Sequence, residues 1–294
     1  MTRIVVVTNG NAFAKLFLAP TLRRFADRID AVYVVTGIRS DAGRVRSIWR
    51  YARRSGVRYV AYKALTYLAP FAARATGRLP EPFVPQLATS LGIPVRYVAT
   101  PDAPGVVAAL RAAPALLVSV SCPMRIPVPV LEAASAGAVN VHSSLLPADA
   151  GLAPYVWVLA QGRATTGVTV HVMEERFDTG AILRAPAVPI APRTTAMALF
   201  LAQAAAGGAA LAAVAADVLA SGRLPDGTPQ DHRQRSYHGM PTRSAIADLR
   251  ANGHRLVRRR DLVAYLRALR ATDGHLPPGI DATGPEADAT AASA

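Results

Sequence analysis

The chain has 294 residues, 51% hydrophobic and 18% charged, a balance that excludes a disordered, collagenous or coiled-coil protein and allows one large domain or two modest ones. Its single cysteine, Cys122, excludes an intrachain disulfide, a CxxC redox pair and a Cys-rich zinc module, and fits a reducing, cytoplasmic setting. The net charge of +14 is uneven: residues 39–79 carry +9 and residues 223–270 carry +7, whereas residues 80–222 carry −1. Only Lys15 and Lys63 of the 33 basic residues are lysine and alanine is abundant, so genomic composition explains the arginines as well as an anionic ligand does.

Met1-Thr2-Arg3-Ile4 runs directly into Val5-Val6-Val7 with no basic segment before a long apolar region, so no signal peptide is visible. Arg3 to Thr8 is a β-branched apolar run, followed by a helical stretch from Ala14 to Arg28 and a second apolar run, Ala31 to Val35. Strands apolar on both faces are what a buried parallel sheet requires. Val95 to Ala99, a helix near Gly105 to Ala113, and Ala115 to Val120 continue the alternation. The fold class is α/β: a Rossmann-like, doubly wound, mostly parallel sheet.

Between the second and third strands lies an insertion, residues 39–90, that reads as helices. It interleaves Trp49, Tyr51, Tyr59, Tyr62, Tyr67 and Phe71 with Arg46, Arg50, Arg53, Arg54 and Arg58. Such a helical pair could cover a substrate, form a homodimer or lie on a membrane surface; an ordinary covering helix would turn a polar face to solvent. Thr194 to Ser221 is long enough to span a bilayer, but it is mostly alanine and is interrupted by Gln203, Gly207, Gly208 and Asp217, so a buried helix is expected and no transmembrane segment. Residues 1–222 then form a catalytic domain carrying the insertion, residues 223–270 a small, basic, helical C-terminal extension with a pattern over Asp261 to Arg270, and residues 271–294 a disordered tail. No internal repeat, GxGxxG or GxxxxGK[ST] is present, so the usual nucleotide cofactors have no visible cradle.

Ala138-Val139-Asn140-Val141-His142 has strand periodicity, which puts an amide donor and an imidazole on one face two residues apart, at a strand end before a Pro/Gly loop that contains Pro147 and Gly151. Downstream, Gly167 to Met173 alternates as a strand and Glu174 to Gly180 forms a polar loop that places Asp178 on a turn. If the turn folds over the first strand end, amide, imidazole and carboxylate meet with no metal required.

Asn140-Val141-His142-Ser143-Ser144-Leu145-Leu146-Pro147 with Gly151, followed by Gly167-Val168-Thr169-Val170-His171 through Asp178-Thr179-Gly180, resembles the paired signatures of the folate-dependent formyltransferases: the methionyl-tRNA, glycinamide ribonucleotide and amino-sugar enzymes. Met124-Arg125-Ile126-Pro127 resembles the loop that holds the pterin ring in those proteins. The resemblance implies transfer of a formyl group from 10-formyltetrahydrofolate to an amine, without a metal. It implies Asn140, His142 and Asp178 as the catalytic set; His171, one strand over, either supports the site or packs. For the cofactor it implies Met124, Arg125, Ile126 and Pro127 on one side and Glu175, Arg176 and Phe177 on the other.

Departures from the family pattern narrow the acceptor. Thr8-Asn9-Gly10-Asn11-Ala12-Phe13 stands where glycinamide ribonucleotide enzymes carry a glycine-rich phosphate loop. Ala148-Asp149-Ala150 stands where methionyl-tRNA enzymes carry a basic residue, and the segment 223–270 is too short and too helical for their terminal barrel. The expected acceptor is a small-molecule amine, such as an amino sugar or a natural-product intermediate, phosphorylated or carrier-bound to suit the basic blocks. The alternatives are a tRNA acceptor, with nucleic acid the weaker reading, and a hydrolase that uses water and releases formate.

Overall fold

A computed structural model describes residues 1–37 and 44–271, without the side chains of residues 44–51. Residues 39–43 of the predicted insertion, the side chains of Arg46, Trp49, Arg50 and Tyr51, and residues 272–294 of the predicted tail therefore lie outside the described residues.

The first strand, β1 (Arg3–Thr8), lies inside the sheet between β2 (Ile29–Val35) and β4 (Ala115–Val120), parallel to both. Its period-2 alternation divides the interior: Ile4 and Val6 join one hydrophobic cluster, Val5 and Val7 the other. Helix α1 (Ala12–Arg24) starts where the Asn11 side chain accepts from the Ala14 amide at 2.8 Å and ends four residues before the predicted Arg28, in a 3-10 turn over Ala26–Arg28. Helix α2 (Arg44–Ala75) is broken at Gly56, whose φ of 80° suits glycine, and α3 (Val84–Ser90) leads to the edge strand β3 (Val95–Val98). Helix α4 (Pro104–Ala112) precedes β4, and α5 (Val128–Ala133) connects β4 to β5 (Ala138–His142).

The chain then turns back on itself. Strands β6 (Ala150–Gly151) and β7 (Thr165–Gly167) flank α6 (Pro154–Ala160), and β8 (Thr169–Val172) and β9 (Ile182–Arg184) extend the main sheet antiparallel before β10 (Ala187–Pro189). The predicted single strand from Gly167 to Met173 is thus split at Val168 between β7, which pairs with β10, and β8, which pairs with β5. The seven-stranded sheet has the order β3-β2-β1-β4-β5-β8-β9, parallel through β5, as the fold class predicted.

Helix α7 (Ala196–Ser221) is the apolar segment whose length and composition would allow a membrane crossing, and it lies in the core against α1 and the sheet. The two glycines and the glutamine that interrupt its pattern have separate tasks. A Cβ on Gly207 would sit 2.7 Å from Val168 Cγ1 and 2.8 Å from Phe17 Cε1, so this position sets how closely α1 approaches. Gln203, fully buried, donates to the carbonyls of Ser143 and Gly167 at 2.8 and 2.9 Å and holds the loop that follows β5. Gly207→Ala is expected to destabilise the fold by about 1–3 kcal/mol through overpacking. A chemical denaturation midpoint that rises instead would show that helix propensity outweighs the contact at this position.

The C-terminal segment is less purely helical than its pattern suggested. Strand β11 (Tyr237–His238) comes before α8 (Arg243–Ala251) and α9 (Arg259–Arg270), and it runs parallel to β6. Helix α9 packs on α1, α2 and α7, and Tyr265 and Leu269 belong to the same hydrophobic cluster as β1.

Candidate active site

Antiparallel pairing sets Asn140 on β5 opposite His171 on β8, and His142 opposite Thr169. Asp178 follows in the turn after β8 with a φ of 56°, a left-handed conformation that aspartate tolerates better than most residues, and its carboxylate reaches back over the end of β5. Asp178 Oδ1 lies 3.6 Å from His142 Nδ1 and 3.7 Å from His171 Nε2. The Gly151 amide donates to Oδ2 at 3.3 Å. Gly151, with φ of 102°, is required there by close approach: a Cβ would meet the His238 carbonyl oxygen at 2.2 Å. The structure therefore brings Asn140, His142 and Asp178 together from the two stretches of sequence that carry them.

Hydrogen-bond bookkeeping orients each group. His171 Nδ1 donates to its neighbour's carbonyl, Val172 O, at 2.8 Å, which leaves Nε2 to accept from Asn140 Nδ2 at 3.2 Å. That bond fixes which way the Asn140 amide faces and engages one of its two N–H groups. His142 Nε2 donates to the Asp149 carbonyl at 3.1 Å, so Nδ1 is the ring atom turned toward Asp178.

Burial pushes the His171 pKa down from 6.5, opposed in part by the Asp178 carboxylate. The folded protein thus binds fewer protons than the unfolded chain once the pH falls below about 6.5, and this group's contribution to stability is lost progressively there. Urea unfolding should show the loss, and His171→Gln should flatten part of that pH dependence; an unchanged slope would contradict the buried neutral ring.

The loop Met124 to Pro127 and the loop Glu175 to Phe177 face each other, with Arg125 Nη1 3.6 Å from Glu175 Oε1. Ile126 is buried beneath the first loop, and the Phe177 ring is 58% exposed in the second. Apolar groups and an exposed aromatic ring beside backbone donors and acceptors suit a flat heteroaromatic ring. Among the described residues no group of three or more His, Cys, Asp or Glu side chains could hold a metal ion.

Several residues that complete the site were not singled out in the sequence. Asp149, 2% exposed, accepts from His238 Nε2 at 3.0 Å and pairs with Arg163 at 3.1 Å, while its own carbonyl holds His142. His238 stacks on Trp157 with ring centroids 4.7 Å apart. Ser236 bonds the Asp149 amide, Arg235 donates to Phe177 O at 3.2 Å, and Gln230 donates to Gly180 O at 2.7 Å. The segment 230–239 therefore forms one wall of the site. The replacement of the family's basic residue by Ala148-Asp149-Ala150 is the one signal that pointed toward it.

Fold and site together define an α/β protein with an Asn–His–Asp group at the carboxyl end of a mostly parallel sheet. Residues 82–214 match the family described as Formyl transferase. A methionyl-tRNA formyltransferase of Synechococcus sp. (strain JA-2-3B'a(2-13)) is 45% identical over 115 residues, 38% of this chain and 36% of that protein. The chain thus spans about a third of that curated relative's length. A sugar N-formyltransferase from Shewanella sp FDAARGOS_354 shares the fold at a TM-score of 0.54 and 17% identity, over 85% of this chain and 87% of that one. The N-formyltransferase from Helicobacter canadensis, solved with folinic acid and dTDP-3-aminofucose, does so at 0.51 and 16%, over 82% and 71%.

Proposed function

We propose that this protein transfers a formyl group from 10-formyltetrahydrofolate to the amine of a small, anionic acceptor. The observation that carries the proposal is the convergence of His142 and His171 on one carboxylate, that of Asp178, with the Asn140 amide bonded to His171. The donor supplies the formyl carbonyl and a nitrogen leaving group, and its ring is held by Met124, Arg125, Ile126, Pro127, Glu175, Arg176 and Phe177. Asn140 holds the carbonyl oxygen with its second amide hydrogen as negative charge develops there, in a position already oriented by His171. His142, held through its Nε2–H by the Asp149 carbonyl, donates to the same oxygen from Nδ1 as an imidazolium, with the Asp178 carboxylate beside it. Asp178 accepts the proton released when the amine nitrogen bonds the formyl carbon, and a proton returns to the departing nitrogen.

The acceptor's charge is read from the arginines of the two basic blocks, which meet at this wall. Arg54 Nη2 lies 2.9 Å from where a Cβ on Gly239 would sit, and Arg243 donates to Ala52 O at 3.3 Å. Arg235 Nε is buried without a hydrogen-bond partner among the described residues, a donor that an acceptor phosphate would satisfy. The neighbour solved with a nucleotide-linked amino sugar supports this reading; the curated relative's name favours a tRNA acceptor instead.

Formyl transfer to an amino sugar and to its nucleotide-linked form is the test. The linked form should show a kcat/KM at least about tenfold higher, the worth of one charge-assisted hydrogen bond. Equal values would remove the anionic requirement, transfer confined to aminoacylated tRNA would favour the tRNA reading, and formate released without any acceptor would identify a hydrolase.

A further inference from the structure

The exposed face of α2 is apolar where an ordinary covering helix is polar. After the break at Gly56, Tyr59, Tyr62 and Thr66 are buried against the domain at 1–2% exposure. At 3.6 residues per turn, Val57, Ala61, Leu65, Leu68, Phe71 and Ala72 fall within an arc of about 120° on the other side. All six are exposed to solvent, with Val57 at 73% and Leu68 at 64%. No polar residue of the helix falls within this arc. Arg58, exposed, lies about 20° beyond one margin, and Arg74, also exposed, about 60° beyond the other. From residue 44 to residue 80 the sequence holds eight arginines, one lysine and no acidic residue.

We propose that this face docks on the surface of an anionic lipid bilayer. An exposed apolar stripe opposite a buried face belongs in an apolar medium, and here one side has the protein core while the other has water. A second copy of the chain would cover the stripe, but it would bring two acid-free, arginine-rich faces together, with repulsion between them. Nucleic acid would satisfy the arginines and leave Val57, Leu65 and Leu68 uncovered. An anionic bilayer meets both requirements: lipid phosphates accept from the flanking arginines while the stripe enters the boundary between headgroups and acyl chains. The inference is independent of the formyl-transfer reading, since none of these side chains belongs to the site.

Co-sedimentation of the full chain with vesicles tests it. Partition onto phosphatidylcholine vesicles containing phosphatidylglycerol should exceed that onto phosphatidylcholine alone by at least about tenfold. The double variant Leu65→Ser, Leu68→Ser should lower partition onto the anionic vesicles at least about tenfold with its thermal unfolding midpoint kept, because both side chains are exposed. Arg58→Gln with Arg74→Gln should weaken the same binding, by a smaller factor at high salt. Absence of sedimentation, or equal partition of the leucine variant and the parent, would overturn the proposal. A dimer that the leucine variant dissociates would assign the face to self-association, and tRNA binding that the leucine variant keeps, without vesicle binding, would assign it to nucleic acid; either result overturns the bilayer.

Discussion

Asn140→Ala is expected to lower kcat for formyl transfer by about 100- to 1000-fold while binding of a folate such as folinic acid is kept. The amide sits on β5, fixed in register against β8, and its orientation is set by His171 through a 3.2 Å hydrogen bond. A donor held in place before the reaction costs no reorganisation when charge develops, which is why its loss falls on kcat. Asn140→Asp keeps the size but offers a carboxylate to a developing oxyanion, so it should be no better than alanine. Steady-state kinetics beside a folate titration separates the two steps, and near-normal kcat in both variants would contradict the role.

Asp178→Asn should reduce turnover by about 100- to 10,000-fold, because it removes the proton acceptor while preserving the turn. Asparagine tolerates the left-handed conformation at this position, where φ is 56°, and its carbonyl oxygen can still accept from the Gly151 amide. The variant therefore tests charge and not folding. A far-ultraviolet spectrum and unfolding midpoint like the parent's would show that the fold is intact. High turnover in the intact variant would place the base elsewhere.

The parts of the site legible in the sequence are those set by local periodicity. Asn140 and His142, two residues apart in a strand, had to share a face, and Asp178 in an Asp-Thr-Gly turn had to lie beyond the end of the next strand. The central strands were legible for the same reason: β-branched runs such as Arg3 to Thr8 are buried on both faces. What stayed hidden depends on partners distant in sequence. Asp149 and His238 are 89 residues apart and meet through the pairing of β6 with β11, two strands of two residues each, too short to leave a periodic trace. Gln203 and Gly207 were visible only as interruptions of an apolar helix; that one ties down the loop after His142 and the other admits Phe17 is a property of packing. The aromatic and arginine content of α2 could be read directly, but not which residues would be left outside: Tyr59 and Tyr62 went into the core, and Leu65, Leu68 and Phe71 into solvent.

The fate of a labelled formyl carbon tests the central claim most directly. Incubating the protein with 10-formyltetrahydrofolate carrying carbon-13 in the formyl group and with a panel of amines should move the label into one amine as a single added formyl unit, and Asp178→Asn should abolish that gain. Label found only in free formate, or left on the folate with every amine offered, would contradict it.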